Sequence, residues 1–357
     1  MARRRARDRD ELPARPPALA REAMKNGVNR VPFLGRAGVA ARAACGLVAA
    51  AAALAAGNPA DVVGPETCNE CHKAEVAAWQ KTHHAVAMDK LREGTEIATK
   101  LGIERTYRRD GPCLDCHTTR IVEAERTRAV AGVACESCHG AARGWVKVHN
   151  DYGGPGVTKE QESAEHRAER WKKSEGAGML RPGNLYAVAS NCFGCHTVPN
   201  QELVDKGGHK AGSDFELVAW SQGEVRHNYL GSQGQQNAEP GVEHLRVMYV
   251  VGRALDLEHA LRGLAGATGD GAYSQAMKAR AERAFAALGA AQGKVKIAEF
   301  ADLLAGGLKT DSASAARLSE AVAAAAKKFA ASADGGALAA IDALLPAKDR
   351  HKGPASP

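Results

Sequence analysis

The sequence predicts a mainly α protein with little sheet, in which a haem-organised tetrahaem domain is followed by a small C-terminal helical bundle. Three observations predict it: four CxxCH motifs, an aromatic content of only 4%, and a change in composition after Pro240. Aromatic side chains supply much of the apolar mass of ordinary cores. Since they are scarce here, we expect haem groups to take that place in residues 57–240.

Each CxxCH motif provides two thiols and a histidine in a fixed order. In c-type cytochromes the thiols add across the vinyl groups of one haem, and the histidine becomes the proximal iron ligand. The motifs therefore predict four covalently bound haem c groups. The predicted attachment and proximal residues are Cys68, Cys71 and His72; Cys113, Cys116 and His117; Cys135, Cys138 and His139; and Cys192, Cys195 and His196.

Paired cysteines also occur in zinc ribbons, redox dithiols and structural disulfides. None of these alternatives explains the histidine that follows each pair. Eight of the nine cysteines lie in the motifs, so no structural disulfide is predicted. Motifs two and three start 22 residues apart, which favours a close haem pair.

Residues 1–56 have the arginine-rich, apolar and small-residue order of a secretory signal peptide, and a start at Met24 would give it ordinary length. An uncleaved membrane anchor is disfavoured because the apolar run 43–56 is short and rich in alanine. A lipid attachment at Cys45 is disfavoured because the apolar run follows this cysteine. We therefore expect a periplasmic protein.

The net charge of +7 does not predict an anionic partner. Residues 1–56 hold eleven Lys and Arg against four Asp and Glu, so the remaining chain has 37 of each. A balanced surface gives no reason to expect binding to nucleic acid.

After Pro240 the chain has no cysteine and much alanine. Apolar residues recur at helical spacing, for example Leu245, Met248 and Val251, and glycines separate the stretches. Residues 241–357 therefore predict a separate helical domain of four or five helices, whose apolar positions form its own core. The end of the chain, from His351 onward, is predicted to be a frayed tail.

Three stretches of the sequence resemble the tetrahaem cytochrome c-554 family, within the cytochrome c-552/4 group. The first is CNECHKAEVAAWQKTHHAVAMDKL, where Trp79, His84 and Met88 fit a W-x4-H-A-x-A-M pattern. The second is Tyr107–His117 and the third is GVACESCHG at 132–140. The resemblance covers roughly 65–229 and has no counterpart for the C-terminal part.

The resemblance implies distal ligands for two of the irons. His84 would lie opposite His139, and His149 would lie opposite His72. Such crossed iron bonds would couple folding to haem attachment. His83 points about 100° away from His84 on a helix, so only one of the two can serve. Met88 is expected to pack against a porphyrin.

The other two irons are assigned less directly. The resemblance favours His227 as the distal ligand opposite His196, with His209 as a rival. No distal ligand is implied opposite His117, where His209 or His166 remain open.

Two functions are compatible with this pattern. The first is an exported cytochrome that carries single electrons between periplasmic donor and acceptor proteins, since no nucleophile, paired carboxylate site or phosphate loop is evident. The alternative is an oxidoreductase for a small nitrogen compound, such as nitric oxide or hydroxylamine, at an open haem of His117. Docking to a respiratory complex would give the C-terminal part a role.

Overall fold

A computed structural model describes residues 57–109 and 111–357. The predicted signal peptide, with Cys45, lies outside the described residues. The helices are α1 (Pro65–Asn69), α2 (Lys73–Trp79), α3 (Ala87–Lys90), α4 (Thr95–Leu101), α5 (Leu114–His117), α6 (Cys135–His139), α7 (Ala164–Gly176), α8 (Leu185–His196), α9 (Gln201–Asp205), α10 (Leu217–Ser221), α11 (Val242–Gly266), α12 (Ala272–Lys294), α13 (Ala298–Ala305) and α14 (Ser312–Ser332). Within this range, strands β1 (Thr119–Glu123) and β2 (Arg126–Ala131) form one two-stranded sheet, and short 3₁₀ turns cover Leu91–Gly94, Leu230–Ser232, Gly336–Leu344 and Lys348–Arg350. The predicted mainly α class with little sheet is confirmed.

The region of the first three motifs consists of short helices joined by loops. α1 begins with a proline, which suits the first turn of a helix, and α4 ends at Gly102 with a positive φ of 71°. The antiparallel hairpin of β1 and β2 brings the chain back to the end of motif two. There, the hydroxyl of Thr119 and the hydroxyl of Ser137 in motif three are 3.0 Å apart. The hairpin thus places motifs two and three close together.

The C-terminal helices surround α11. This 25-residue helix is buried on most sides, and Val250, Leu255 and Leu261 are almost fully buried. It packs against α12 and α14, and also against α8 and α10. None of the helices in the described range combines the length and the apolar character needed to cross a bilayer.

Residues on both sides of Pro240 share one hydrophobic core. Phe193 and Phe215 from the haem region pack in the same cluster as Leu255 and Met277 from the bundle. The described residues therefore form one compact unit, and the boundary predicted at Pro240 marks a change in composition without a break in packing. The reason is that α11 has more apolar surface than its neighbours in the bundle can cover, and α8 and α10 cover the rest.

The end of the chain is held against the body, so the predicted frayed tail is wrong. The main-chain N–H of Lys352 donates to the Ala219 carbonyl at 2.9 Å, and the Tyr229 hydroxyl donates to the Pro357 carbonyl at 2.6 Å. We call residues 352–357 the C-terminal strap. It lies along the segment that carries His227.

Candidate haem-binding site

Three of the four motif histidines occupy the last position of a helix. His117, His139 and His196 end α5, α6 and α8, whereas His72 directly precedes α2. In each motif the histidine directly follows the second cysteine, the order that a haem held by two thioethers requires.

Seven of the eight motif cysteines are partly buried, and Cys71 is exposed. Burial raises the pKa of Cys138 to about 11 and that of Cys192 to about 12, whereas interaction with a cysteine of another motif lowers the pKa of Cys116 and that of Cys135. The described part of the chain holds no group of three or more His, Cys, Asp or Glu placed to bind a metal ion directly.

Thiols from different motifs lie next to each other. Cys68 of motif one is within hydrogen-bond reach of Cys135 of motif three, and Cys116 of motif two is similarly close to Cys195 of motif four. These contacts place motif one beside motif three and motif two beside motif four.

Three pairs of histidine rings lie at nearly equal distances, with interplanar angles of 23° for His72–His149, 47° for His84–His196 and 87° for His139–His227. The ring centres are 6.3 Å apart in His72–His149, 6.1 Å in His84–His196 and 6.1 Å in His139–His227. An imidazole nitrogen binds a metal at about 2 Å, and the ring centre lies about 1 Å further away, so two imidazoles on opposite sides of one iron have centres about 6 Å apart. The three pairs have this spacing, and their residues therefore fit bis-histidine haem.

Most of these imidazoles are oriented by a hydrogen bond at Nδ1. A carbonyl can only accept, so an imidazole bonded to one through Nδ1 keeps its proton there and has Nε2 free for iron. The Nδ1 atoms lie 2.7–3.1 Å from their partners, which are the carbonyls of Leu180 for His139, Val146 for His149, Lys210 for His209 and Val225 for His227, and the Ser213 hydroxyl for His196.

The structure distinguishes His84 from its neighbour His83. The side chain of His83 is 83% exposed and its Nδ1 lies 2.8 Å from a Glu224 carboxylate oxygen. Burial lowers the pKa of His84 and thus favours the neutral imidazole that metals bind. Of this pair, only His84 faces another histidine.

The predicted partners of His84 and His227 are exchanged. His84 faces His196 instead of His139, and His227 faces His139 instead of His196. The carbonyl of His84 accepts from the Val133 N–H at 2.9 Å, before the start of α6, whereas His139 lies at the far end of that helix. A Cβ at Gly132 would lie 2.2 Å from the His84 carbonyl, so glycine permits this close approach.

The rings of His149 and His72, which were predicted to bind one iron, are neighbours in the structure, and their shared ligation stays a prediction. His117 is not a member of the three pairs found in the described range. Burial lowers the pKa of His117, a nearby His209 lowers it further, and a hydrogen bond to the Ala87 carbonyl opposes the shift. Of the two rivals considered for this iron, His209 is therefore the nearer.

His166 belongs to a different network. Its Nδ1 lies 2.8 Å from Glu162, whose pKa is lowered to about 2, first by the Arg170 guanidinium. This histidine is held by a carboxylate and does not face a motif histidine.

Several supporting residues have no signature in the sequence. Phe215 stacks on the His196 ring with centres 4.7 Å apart, Trp220 meets the same ring edge-on at 4.9 Å, and Ser213 lies at its Nδ1. Each is 17 or more residues away along the chain, so no local pattern marks its role.

The sequence is similar to known cytochromes. The sequence model of the family described as cytochrome c554 and c-prime matches residues 67–140. The chain is 29% identical over 171 residues to a cytochrome c-554 of Nitrosomonas europaea, covering 43% of this chain and 67% of that protein. No solved structure matches the chain.

Proposed function

We propose that this protein is an exported electron carrier that passes single electrons between periplasmic redox partners. The match of residues 67–140 to the cytochrome c554 family and the similarity to a cytochrome c-554 support the proposal. Covalently bound haem c supplies the one-electron chemistry in such proteins. We propose four such groups, one at each CxxCH motif. The chain's own residues attach them, orient their ligands and exclude water.

The observation that carries the proposal is the set of three histidine pairs at 6.1–6.3 Å. Two imidazoles on one iron leave no coordination position for a substrate, and such sites exchange electrons without binding a reactant. The Nδ1 hydrogen bonds support this function because they hold the rings in one orientation. Little rearrangement is then needed when the charge on the iron changes.

Mass spectrometry tests the number of groups. Under denaturing conditions the mature protein should have the mass of a chain that starts near Gly57 plus four haem masses. Proteolytic peptides containing each motif should each carry one haem. Three haems or fewer in a fully matured preparation would contradict the proposal.

A second candidate function remains at motif two, because His117 is not in any of the three ring pairs at ligand spacing in the described range. An iron with an open position at His117 would bind a small nitrogen compound such as nitric oxide or hydroxylamine. Carbon monoxide separates the two functions. Binding to about one haem in four of the reduced protein would favour the enzyme, and no change in the Soret band would favour the carrier, with His209 as the ligand.

The partners proposed are periplasmic donor and acceptor proteins. The balance of 37 acidic and 37 basic residues after residue 56 supports partner surfaces without a strong charge of one sign. We also propose that the helical C-terminal part docks to a respiratory complex. Co-purification from detergent-solubilised membranes of the source cell tests this.

A further inference from the structure

A buried arginine of the helical bundle reaches the motif-four histidine through one intermediate residue. The Arg280 guanidinium on α12 donates from Nη1 to the Ser213 carbonyl at 2.9 Å. The Ser213 hydroxyl lies 3.1 Å from Nδ1 of His196, and its main-chain N–H donates to the His196 carbonyl at 3.0 Å. Ser213 thus connects the arginine to both the side chain and the main chain of the histidine.

The turn that carries Ser213 is tightly enclosed between these two residues. Gly212 has a φ of +80°, and a Cβ at this position would lie 2.9 Å from both the Arg280 Nη1 and the His196 carbonyl oxygen. Only glycine combines that backbone conformation with so little space. The close approach of Arg280 to His196 is therefore built into the backbone.

Arg280 lies in a cluster of charged side chains. It is 4% exposed, and its Nε bonds to the Asp256 carboxylate on α11. Arg253 also lies near Asp256 and is 3.7 Å from Glu216, whereas Arg283, the other arginine near Asp256, is exposed to solvent. Of this cluster, Arg280 is the group that bonds to Ser213, and its burial means that its charge is weakly screened.

The positive charge of Arg280 is held close to the imidazole through one intermediate residue, in a buried site where charges are weakly screened. Such a charge disfavours the ferric state of an iron bound to that imidazole.

We propose that Arg280 is a positioning residue that raises the reduction potential of the haem attached at motif four. The proposal rests on the proposed function, in which His196 binds that iron. Reduction adds one electron, so a buried positive charge near the ligand stabilises the ferrous state relative to the ferric state. Through Arg280, the C-terminal bundle would set the order in which the haems accept electrons.

Redox titration of the full holoprotein, followed by electron paramagnetic resonance, tests this. The motif-four haem is identified as the low-spin signal that H84A removes. R280Q should lower its reduction equilibrium constant at least tenfold, equivalent to about 59 mV for a one-electron couple. R280K should retain most of the potential, and D256N should shift it in the opposite direction, since it removes a negative charge.

R246Q is the matched control. Like Arg280, Arg246 is buried and bonded to a carboxylate, that of Asp342. It lies on α11 ten residues before Asp256, which is about 15 Å away along the helix. R246Q should reduce stability without moving the potential. Equal potentials in wild type and R280Q would overturn the proposal, as would a D256N shift in the same direction as R280Q.

If R280Q does not accumulate, R280K and D256N decide between the outcomes. A D256N protein with an unchanged or lower potential contradicts the electrostatic role. Loss of haem from the motif-four peptide of the wild-type protein, or an H84A spectrum that keeps every low-spin signal, would instead contradict the proposed function on which the inference rests.

Discussion

The first three CxxCH motifs and the fourth are held by different kinds of structure. α1, α5 and α6 have only four or five residues each, and the one small apolar cluster near them consists of Leu91, Ala98, Tyr107 and Leu114. The fourth motif ends a 12-residue helix whose Phe193 lies in the main hydrophobic core. Helices of one turn are not stable alone. We therefore expect the first region to depend on haem for its order and the second to depend on apolar packing.

Preventing haem attachment should have the largest effect and should separate the two regions. In chain produced without haem, we expect α1, α5 and α6 to unfold because no iron bonds connect their histidines, while α11, α12 and α14 stay folded around their apolar core. Hydrogen exchange with mass spectrometry measures this: peptides from 65–139 should exchange rapidly and peptides from 242–332 slowly. Equal protection of both ranges from hydrogen exchange would contradict the expected difference between the two regions.

Truncation after Pro240 should disrupt the fourth motif more than the other three. The truncated chain exposes Phe193, Leu217 and Val218, which are each at most 3% exposed in the full chain. Burial of each such side chain contributes about 1.5–3 kcal/mol, so their sum approaches the stability of a whole domain. We expect a low yield of holoprotein with haem missing from the motif-four peptide.

Removal of the C-terminal strap residues 353–357 is the control for that truncation. This deletion loses the hydrogen bond from Tyr229 to Pro357 and leaves the core intact, so haem content should be unchanged. A chain ending at Pro240 that kept four haems and the wild-type spectrum would support the separable domain that the composition predicts.

Distal histidine variants should change one iron each without loss of haem. H149A removes a ligand whose partner, His72, lies in the same region. H84A and H227A each remove a ligand whose partner, His196 or His139, lies in the other region. In each case the thioethers persist and one low-spin signal should become high-spin. H83A is the matched control, since His83 is exposed and bonded to Glu224. Equal spectral changes in H83A and H84A would contradict the assignment.

The pH dependence of the bundle should show the smallest effect. Burial is the main cause that lowers the pKa of His259 from 6.5 to about 3. Between these values the unfolded chain binds a proton that the folded chain does not, so stability falls as the pH decreases below about 6.5, by at most about 1.4 kcal/mol per unit. H259Q should flatten thermal unfolding midpoints between pH 7 and 5; an unchanged slope would exclude His259 as the cause.

The sequence alone determined the local chemistry of this protein. CxxCH places two thiols and one imidazole within five residues, so haem attachment is encoded without reference to the fold, and helical spacing together with the motifs predicted the mainly α class. The distal candidates His84, His149 and His227 came instead from the resemblance to the cytochrome c-554 family, with His209 as a rival.

Only the tertiary structure decided which groups meet. His84 faces His196, Arg280 reaches His196 through Ser213, and the strap binds Tyr229, and in each case the partners are separated by more than 60 residues or by a turn that no pattern marks. The composition suggested a boundary at Pro240, but α11 has apolar surface on several sides and buries it against α8 and α10. Folding reduces the apolar surface that the whole chain exposes to water, and this area depends on contacts between distant segments, so no single segment predicts it.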